Sequence, residues 1–192
     1  LPLRHYDKGC LWRIPDGPWM RGDLPKPGHV HIDIYVTGRH YGTNIDPATG
    51  EARLFDSFVE FDREGNYPLT DPRHDHNNLY GQRVDGRHDG NCQYMRWRLA
   101  HTRSQSAIQK ALDAACEAGV RAVEAAKTRP PILKLVAQGP TIGKGKKAFI
   151  YCGKVRTTCR QARHRSVILA NEQARYLRKC GATVMVHYEH LY

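Results

Sequence analysis

The sequence predicts an α/β protein, in which two helices pack on a mixed sheet that begins with an N-terminal antiparallel meander. Three observations predict this class. Residues His29–Val36 alternate between polar and apolar side chains, as a half-buried strand does. Two stretches with apolar residues at helical spacing, Ser106–Ala118 and Ser166–Cys180, each run up to a glycine. Short apolar runs lie between and after these stretches, which gives the order strands, helix, strand, strand, helix, strand.

Local signals define the other elements. Residues 1–28 contain five prolines, so we expect an irregular N-terminal extension ahead of one α/β domain over residues 29–192. Turn-forming residues crowd the stretch 62–94, which predicts a long loop insertion in that domain. The predicted strands are His29–Val36 and Ala52–Phe61 in the meander, and then Ile132–Ala137, Ala148–Val155 and Thr183–Tyr188.

Sequence signals define the start, the apolar face and the end of the first predicted helix. Ser106 followed by Gln109 forms a capping box. Leu112 falls on the apolar stripe of this helix, whereas Lys110 falls outside it. We therefore expect a buried Leu112 and an exposed Lys110, and we expect Gly119 to end the helix.

The charge of the chain is strongly uneven. The sequence holds 30 Lys and Arg against 19 Asp and Glu, a formal net charge of +11. Residues 1–120 contribute 15 basic and 16 acidic side chains, whereas residues 121–192 contribute 15 basic and 3 acidic ones. A concentrated basic field is typical of proteins that bind a polyanion, most often nucleic acid. We therefore predict a nucleic-acid-binding domain.

Two basic segments are candidate phosphate-binding sites. Gly139–Lys147 is a glycine- and lysine-rich loop, but it lacks the hydroxyl residue that follows the lysine of a P-loop, so it does not predict nucleotide hydrolysis. Arg156–Lys179 is rich in arginine, which binds phosphates in a bidentate manner. The predicted nucleic-acid-binding residues are all lysines or arginines: Lys144, Lys146, Lys147, Lys154, Arg156, Arg160, Arg163, Arg165, Arg175, Arg178 and Lys179.

An alternative hypothesis is a metal-dependent nuclease. His29 and His31 flank an apolar residue on a predicted strand, which is similar to the His-hydrophobic-His metal motif of rolling-circle nucleases. Tyr176 and Lys179 have the Y-x-x-K spacing of the nucleophile helix in those enzymes. Two histidines on one face could hold a divalent ion beside a tyrosine that attacks phosphate. The competing interpretation places both histidines on the polar side of a half-buried strand. We favour it and expect no catalytic residue.

Composition argues against several other classes. No run of residues approaches the roughly 18 apolar residues of a membrane span, so we expect none. The six cysteines include no C-x-x-C pair, and Cys152 and Cys159 with His164 depart from the usual zinc-finger spacing. We expect reduced cysteines, no metal and no cofactor.

The order of elements resembles the ribosomal-protein fold that the small-subunit platform protein shares with the large-subunit protein that binds 5S rRNA. The segments that carry this resemblance are His29–Val36, Ala107–Val120, Leu133–Lys147 and Ala174–Val186. Within them, Gln138-Gly-Pro-Thr-Ile-Gly-Lys144 is similar to the glycine-rich RNA-contact segment of the platform protein. The insertion at 62–94 and the stretch 148–165 have no counterpart in compact members, and such extensions are familiar in organellar ribosomes. The resemblance implies an rRNA-binding structural constituent of a mitochondrial or other organellar ribosome.

Three hypotheses therefore come from the sequence. The first is a structural RNA-binding subunit of a ribonucleoprotein, in contact with neighbouring proteins of the same particle. The second is the nuclease or replication initiator, with Tyr176 as nucleophile, and the third is a basic accessory subunit of a large protein complex. The first implies an organellar matrix, and the absence of an initiator Met fits a removed transit peptide. The second implies the cytoplasm, including that of a phage host.

Overall fold

The structure, a computed structural model, describes residues 10–13, 19–38, 45–46, 48–60, 105–136, 146–159 and 165–189. Within these ranges the strands are β1 (Cys10–Arg13), β2 (Trp19–Gly22), β3 (His31–Gly38), β4 (Ser57–Glu60), β5 (Ile132–Leu135), β6 (Lys147–Ile150), β7 (Cys152–Cys159) and β8 (Thr183–Tyr188). The helices are α1 (Gln105–Lys127) and α2 (Arg165–Lys179). The predicted fold class is confirmed: a mixed sheet with antiparallel strands at its N-terminal end carries two helices.

Six strands form one sheet in the order β1-β2-β8-β3-β7-β4. Strands β8, β3, β7 and β4 run parallel to one another, and β2 and β1 extend the sheet in antiparallel fashion beyond β8. The antiparallel strands β1 and β2 thus lie within residues 1–28, which we interpreted as irregular. The two strands predicted to form the meander, β3 and β4, do not pair with each other. β7 lies between them in the sheet, and its Val155 is part of the buried core.

Both helices cover the same face of this sheet. Alternate residues of β3, namely Ile32, Ile34 and Val36, are fully buried in the core beneath the helices. Small residues such as Ala118 and Ala174 face them from α1 and α2. The described core is therefore a single apolar layer between the sheet and the helix pair.

The helices run antiparallel to the four parallel strands. Helix α2 starts beside the end of β7, where the Cys159 Sγ lies 3.1 Å from the Ser166 Oγ. It ends beside the start of β3, where the Gly181 carbonyl accepts a hydrogen bond from the His29 ring at 2.9 Å. After the end of α1, Arg129 reaches Asp56, next to the start of β4. The edge at which the parallel strands begin, here called the strand-entry edge, therefore also holds the C-terminal ends of both helices.

Gly119 does not end α1, contrary to the prediction from the sequence. The helix continues to Lys127. A Cβ atom at position 119 would lie 2.9 Å from a methyl carbon of Leu177 in α2, so this glycine allows the two helices to approach closely. By contrast, Gly181 ends α2 as predicted: its φ is +94°, and the next N–H donates to the Leu177 carbonyl at 3.1 Å.

The predicted strand Ala148–Val155 is two strands. β6 pairs with β5 in a two-stranded antiparallel ribbon, whereas β7 belongs to the main sheet. This ribbon leaves from the end of α1 and returns to the start of β7, so both of its ends lie at the strand-entry edge. The insertion at 62–94 lies outside the described residues.

Candidate nucleic-acid interface

Five lysines lie either at the strand-entry edge or on the ribbon that starts there. Lys26 precedes β3, Lys179 is the last residue of α2, and Lys134, Lys146 and Lys147 lie on the ribbon. Lys134 is half-buried and the other four are exposed. None of the five has an ion pair with any residue that the structure describes. We call this set the basic edge.

The carboxylates described at the same edge are already neutralised by other cations. The Arg178 Nε donates to the Asp23 Oδ2 at 2.9 Å. Arg129 donates to both oxygens of Asp56, one of them at 2.7 Å, and this hydrogen bonding raises the pKa of the arginine. The third carboxylate of this edge, that of Glu124, pairs with Lys127 at 3.4 Å. These ion pairs leave the charge of the basic edge uncompensated within the described part of the chain.

Other predicted contact residues face different directions. Arg165 is 2% exposed, so its side chain is not on the surface as we expected. It starts α2, and the helical rise of 1.5 Å per residue puts it about 21 Å from Lys179 at the other end. Arg175 pairs with Glu172 at 3.0 Å along the same helix.

Two further predicted residues lie on β7, on the sheet face opposite the helices. Alternation places Lys154 and Arg156 there, because Val155 between them is in the core. The Arg156 Nε donates to the Thr37 Oγ1 at 2.8 Å, and its guanidinium lies 5.5 Å from the ring centre of Phe58. Lys144, Arg160 and Arg163 lie outside the described residues.

From the predicted set, Lys179 lies at the strand-entry edge, and Lys146 and Lys147 lie on the ribbon that starts there. The structure adds Lys26 and Lys134, which sequence reasoning missed because they lie outside the basic run from 144 to 179. The signal that could have found them is topological. In a parallel sheet with antiparallel helices, every strand start and every helix end meets at one edge.

A second polar cluster lies on the sheet face opposite the helices. The Asp33 Oδ1 accepts a hydrogen bond from the His187 Nε2 at 2.7 Å and lies 3.4 Å from the His31 Nε2. The other ring nitrogen of His31 lies 2.8 Å from the Thr183 Oγ1, and the His187 ring stacks on Tyr35 with centroids 4.3 Å apart. His31, Asp33, Tyr35 and Thr183 are all buried, and their hydrogen bonds join β3 to β8.

The electrostatics of the cluster match that role. Burial alone would raise the pKa of Asp33, but hydrogen bonds and positive charge from His187 and His31 outweigh it and hold the pKa well below its usual range. Burial, reinforced by the negative charge of Asp33, raises the pKa of Tyr35. Asp33 is thus an internally compensated carboxylate in the folded state.

The residues of the nuclease hypothesis are divided between one edge and both faces of the sheet, with His29 and Lys179 at the strand-entry edge. His29 is exposed at the strand-entry edge, and His31 is buried on the sheet face that the helices do not cover. Tyr176 lies on α2, beyond the other face, in an open groove with Val120 and Arg121. Repulsion from Cys180, together with a hydrogen bond to it, raises the pKa of Tyr176, which is the opposite of what activates a tyrosine nucleophile.

The described part of the chain contains neither a metal-ligand cluster nor a membrane-spanning helix. Its residues include no group of three or more His, Cys, Asp or Glu able to hold a metal ion. Cys152 and Cys159, seven residues apart on one strand, point to opposite faces of the sheet. No helix among the described residues is long and apolar enough to cross a bilayer.

Comparison with known proteins adds no relative. No family model, no curated protein and no solved structure matches this chain.

Proposed function

We propose that the protein is a structural RNA-binding subunit of a ribonucleoprotein, and that the basic edge binds RNA phosphates. The observation that carries the proposal is a set of five lysines, at the strand-entry edge and on the ribbon, that have no ion pair with any described residue, while the described carboxylates of that edge are already paired. Phosphates supply the missing negative charge, and their binding releases condensed counterions, which drives association.

Two features favour RNA binding over the other hypotheses. The lysines come from three separate elements, as expected of a surface that follows a phosphate backbone, and no catalytic constellation accompanies them among the described residues. Residues 138–144, which resemble a glycine-rich RNA-contact segment, shortly precede two exposed lysines, Lys146 and Lys147, the second of which begins β6. On this basis we propose an organellar ribosome as the particle, with rRNA and neighbouring ribosomal proteins as partners.

The salt dependence of RNA binding tests the proposal. The full chain is titrated into a labelled folded RNA at several salt concentrations, and the slope of log K against log salt is measured. We expect the double variant Lys146→Ala/Lys179→Ala to lower the magnitude of this slope by about 1.4–1.8, since each phosphate contact contributes about 0.7–0.9. These two lysines lie on separate elements, so the variant tests the edge as one surface.

The matched control removes two exposed cations from α1, which lie away from this edge. Lys110→Ala/Arg121→Ala changes the net charge by the same amount and should leave the slope nearly unchanged. Equal slope changes in both double variants would show that binding depends on net charge alone and would reject the basic edge. Co-sedimentation of the full chain with ribosomal particles tests the particle, and metal-dependent nicking of the RNA would favour the nuclease hypothesis instead.

A further inference from the structure

The ribbon of β5 and β6 has one buried face and one exposed apolar face. Its register pairs Leu133 with Phe149 and Leu135 with Lys147, so these four side chains share one face. We call it the ribbon face. On the opposite face, Ile150 and Val136 are 1% and 6% exposed whereas Ile132 is 52% exposed, so part of that side is turned towards the protein.

The ribbon face is unusually exposed for its composition. Leu133 is 50% exposed, Leu135 is 47% exposed and Phe149 is 69% exposed. Tyr151 follows β6 in the same alternation and is also exposed. Contiguous apolar patches of this kind on a protein surface mark interaction sites more often than isolated apolar residues do.

The architecture of the ribbon is a second reason to expect that another molecule packs on it. A two-stranded ribbon is only marginally stable in water unless something packs on it. β5 and β6 pair with no strand of the main sheet, and no described helix or strand packs extensively on them. Covering the ribbon face would therefore remove apolar surface from water and hold the ribbon in place at the same time.

We propose that the ribbon face docks on another protein, through an apolar patch that carries carboxylates at its border. Lys147 lies within the face and has no ion pair with any described residue. The partner surface that complements this pattern is apolar in the middle and acidic at the rim. The proposal does not depend on RNA binding.

Two other occupants fit the same residues less well. A second copy of this chain, docked face to face, would bring lysines against lysines and carry two chains of net charge +11 together. RNA would satisfy the lysines, and its bases could stack on Phe149 or Tyr151, but Leu133 and Leu135 would then face a charged backbone to which they offer neither a hydrogen-bond donor nor an aromatic ring.

Site-specific photocross-linking tests the proposal. The full chain carrying p-benzoylphenylalanine in place of Phe149 is expressed in its own cells and irradiated, and the cross-linked peptides are identified by mass spectrometry with and without nuclease treatment. We expect one protein partner whose cross-linked peptide contains apolar residues together with Asp or Glu. The same probe at Leu135 should reach the same partner, which keeps the test valid if position 149 tolerates the probe poorly.

Charge reversal separates specific docking from chance capture. Lys147→Glu in the probe-bearing chain should lower the cross-link yield about tenfold or more, whereas Lys110→Glu should leave it unchanged. Cross-links to RNA, to a second copy or to no macromolecule would overturn the proposal, as would a yield that does not respond to Lys147→Glu. A probe at Tyr176, an exposed aromatic residue on α2, should not reach this partner. Phe149→Ser should leave the salt slope of RNA binding unchanged, so failures of the two proposals are distinguishable.

Discussion

Gly119→Ala should destabilise the protein, although alanine is the better helix former. In a helix interior this exchange alone would stabilise by about 0.8–1.0 kcal/mol. The added Cβ, however, would lie 2.9–3.1 Å from three side-chain carbons of Leu177. Leu177 is fully buried and has no room to rotate away, so overpacking should cost about 1–3 kcal/mol. The net result is a loss of up to about 2 kcal/mol.

A double-mutant cycle measured by urea denaturation of the full chain separates the two contributions. Leu177→Ala alone should cost about 2–5 kcal/mol because it leaves a cavity in the core. In that background the clash is gone, so Gly119→Ala should become stabilising by about 1 kcal/mol. Ala114→Gly, at an exposed position of the same helix, calibrates the helix-propensity contribution and should cost about 1 kcal/mol.

The sign reversal is the decisive observation. If Gly119→Ala stabilises the protein equally with and without Leu177, the two helices do not approach as closely as the structure shows, and the explanation for a glycine inside α1 is lost.

Three further predictions concern other parts of the molecule. The pKa of Asp33 is depressed in the folded state, so the stabilisation by its carboxylate is present above the ordinary pKa of 3.8 and is lost as the pH falls towards the folded value. The difference in free energy of unfolding between the wild type and Asp33→Asn should therefore shrink as the pH falls from about 5 to about 2. Leu112→Ala should cost about 2 kcal/mol, since the side chain is half-buried against Ile168, whereas Lys110→Ala should change stability by less than about 0.5 kcal/mol; equal urea midpoints would contradict this. Incubation with Mn²⁺ and single-stranded DNA should give no covalent Tyr176 adduct on a denaturing gel, and an adduct that disappears in Tyr176→Phe would restore the nuclease hypothesis.

Signals that act over a few residues predicted most of the elements. Strict alternation located β3, and a glycine that must adopt a positive φ located the end of α2. The 3.6-residue period correctly predicted that Lys110 is exposed and that Leu112 faces the core, although Leu112 is half-buried and not fully buried as we expected. These features depend only on residues that are close in the sequence, so they can be predicted from the sequence directly.

Features that depend on distant segments were not predictable in the same way. Gly119 has the sequence signature of a helix end, but the helix continues past it. The reason for a glycine at this position is the close approach of Leu177, which lies 58 positions later in the sequence. The pairing of β3 and β4 with β7 was missed because neighbours in the sequence were assumed to be neighbours in the sheet. For the same reason the sequence placed His31 with His29, whereas the fold places it with Asp33 and His187.

The candidate interface shows how far composition can locate a surface. The excess of basic residues after residue 120 identified the C-terminal part of the chain as basic. The fold, however, places those basic side chains at one interior position, on two sheet faces and at one edge. Lys179 alone would be a weak argument for a binding site, because a lysine in the last turn of a helix also stabilises the helix dipole. The lysines of the ribbon have no such role, since they are not part of a helix, and they have no ion pair in the described part of the chain. Lys146 and Lys147 therefore carry the strongest evidence for an external anionic partner, and Lys147 also lies on the face that we assign to a protein. A single ribbon that presents lysines towards RNA and an apolar face towards a neighbouring subunit is the arrangement expected of a protein that lies between the two.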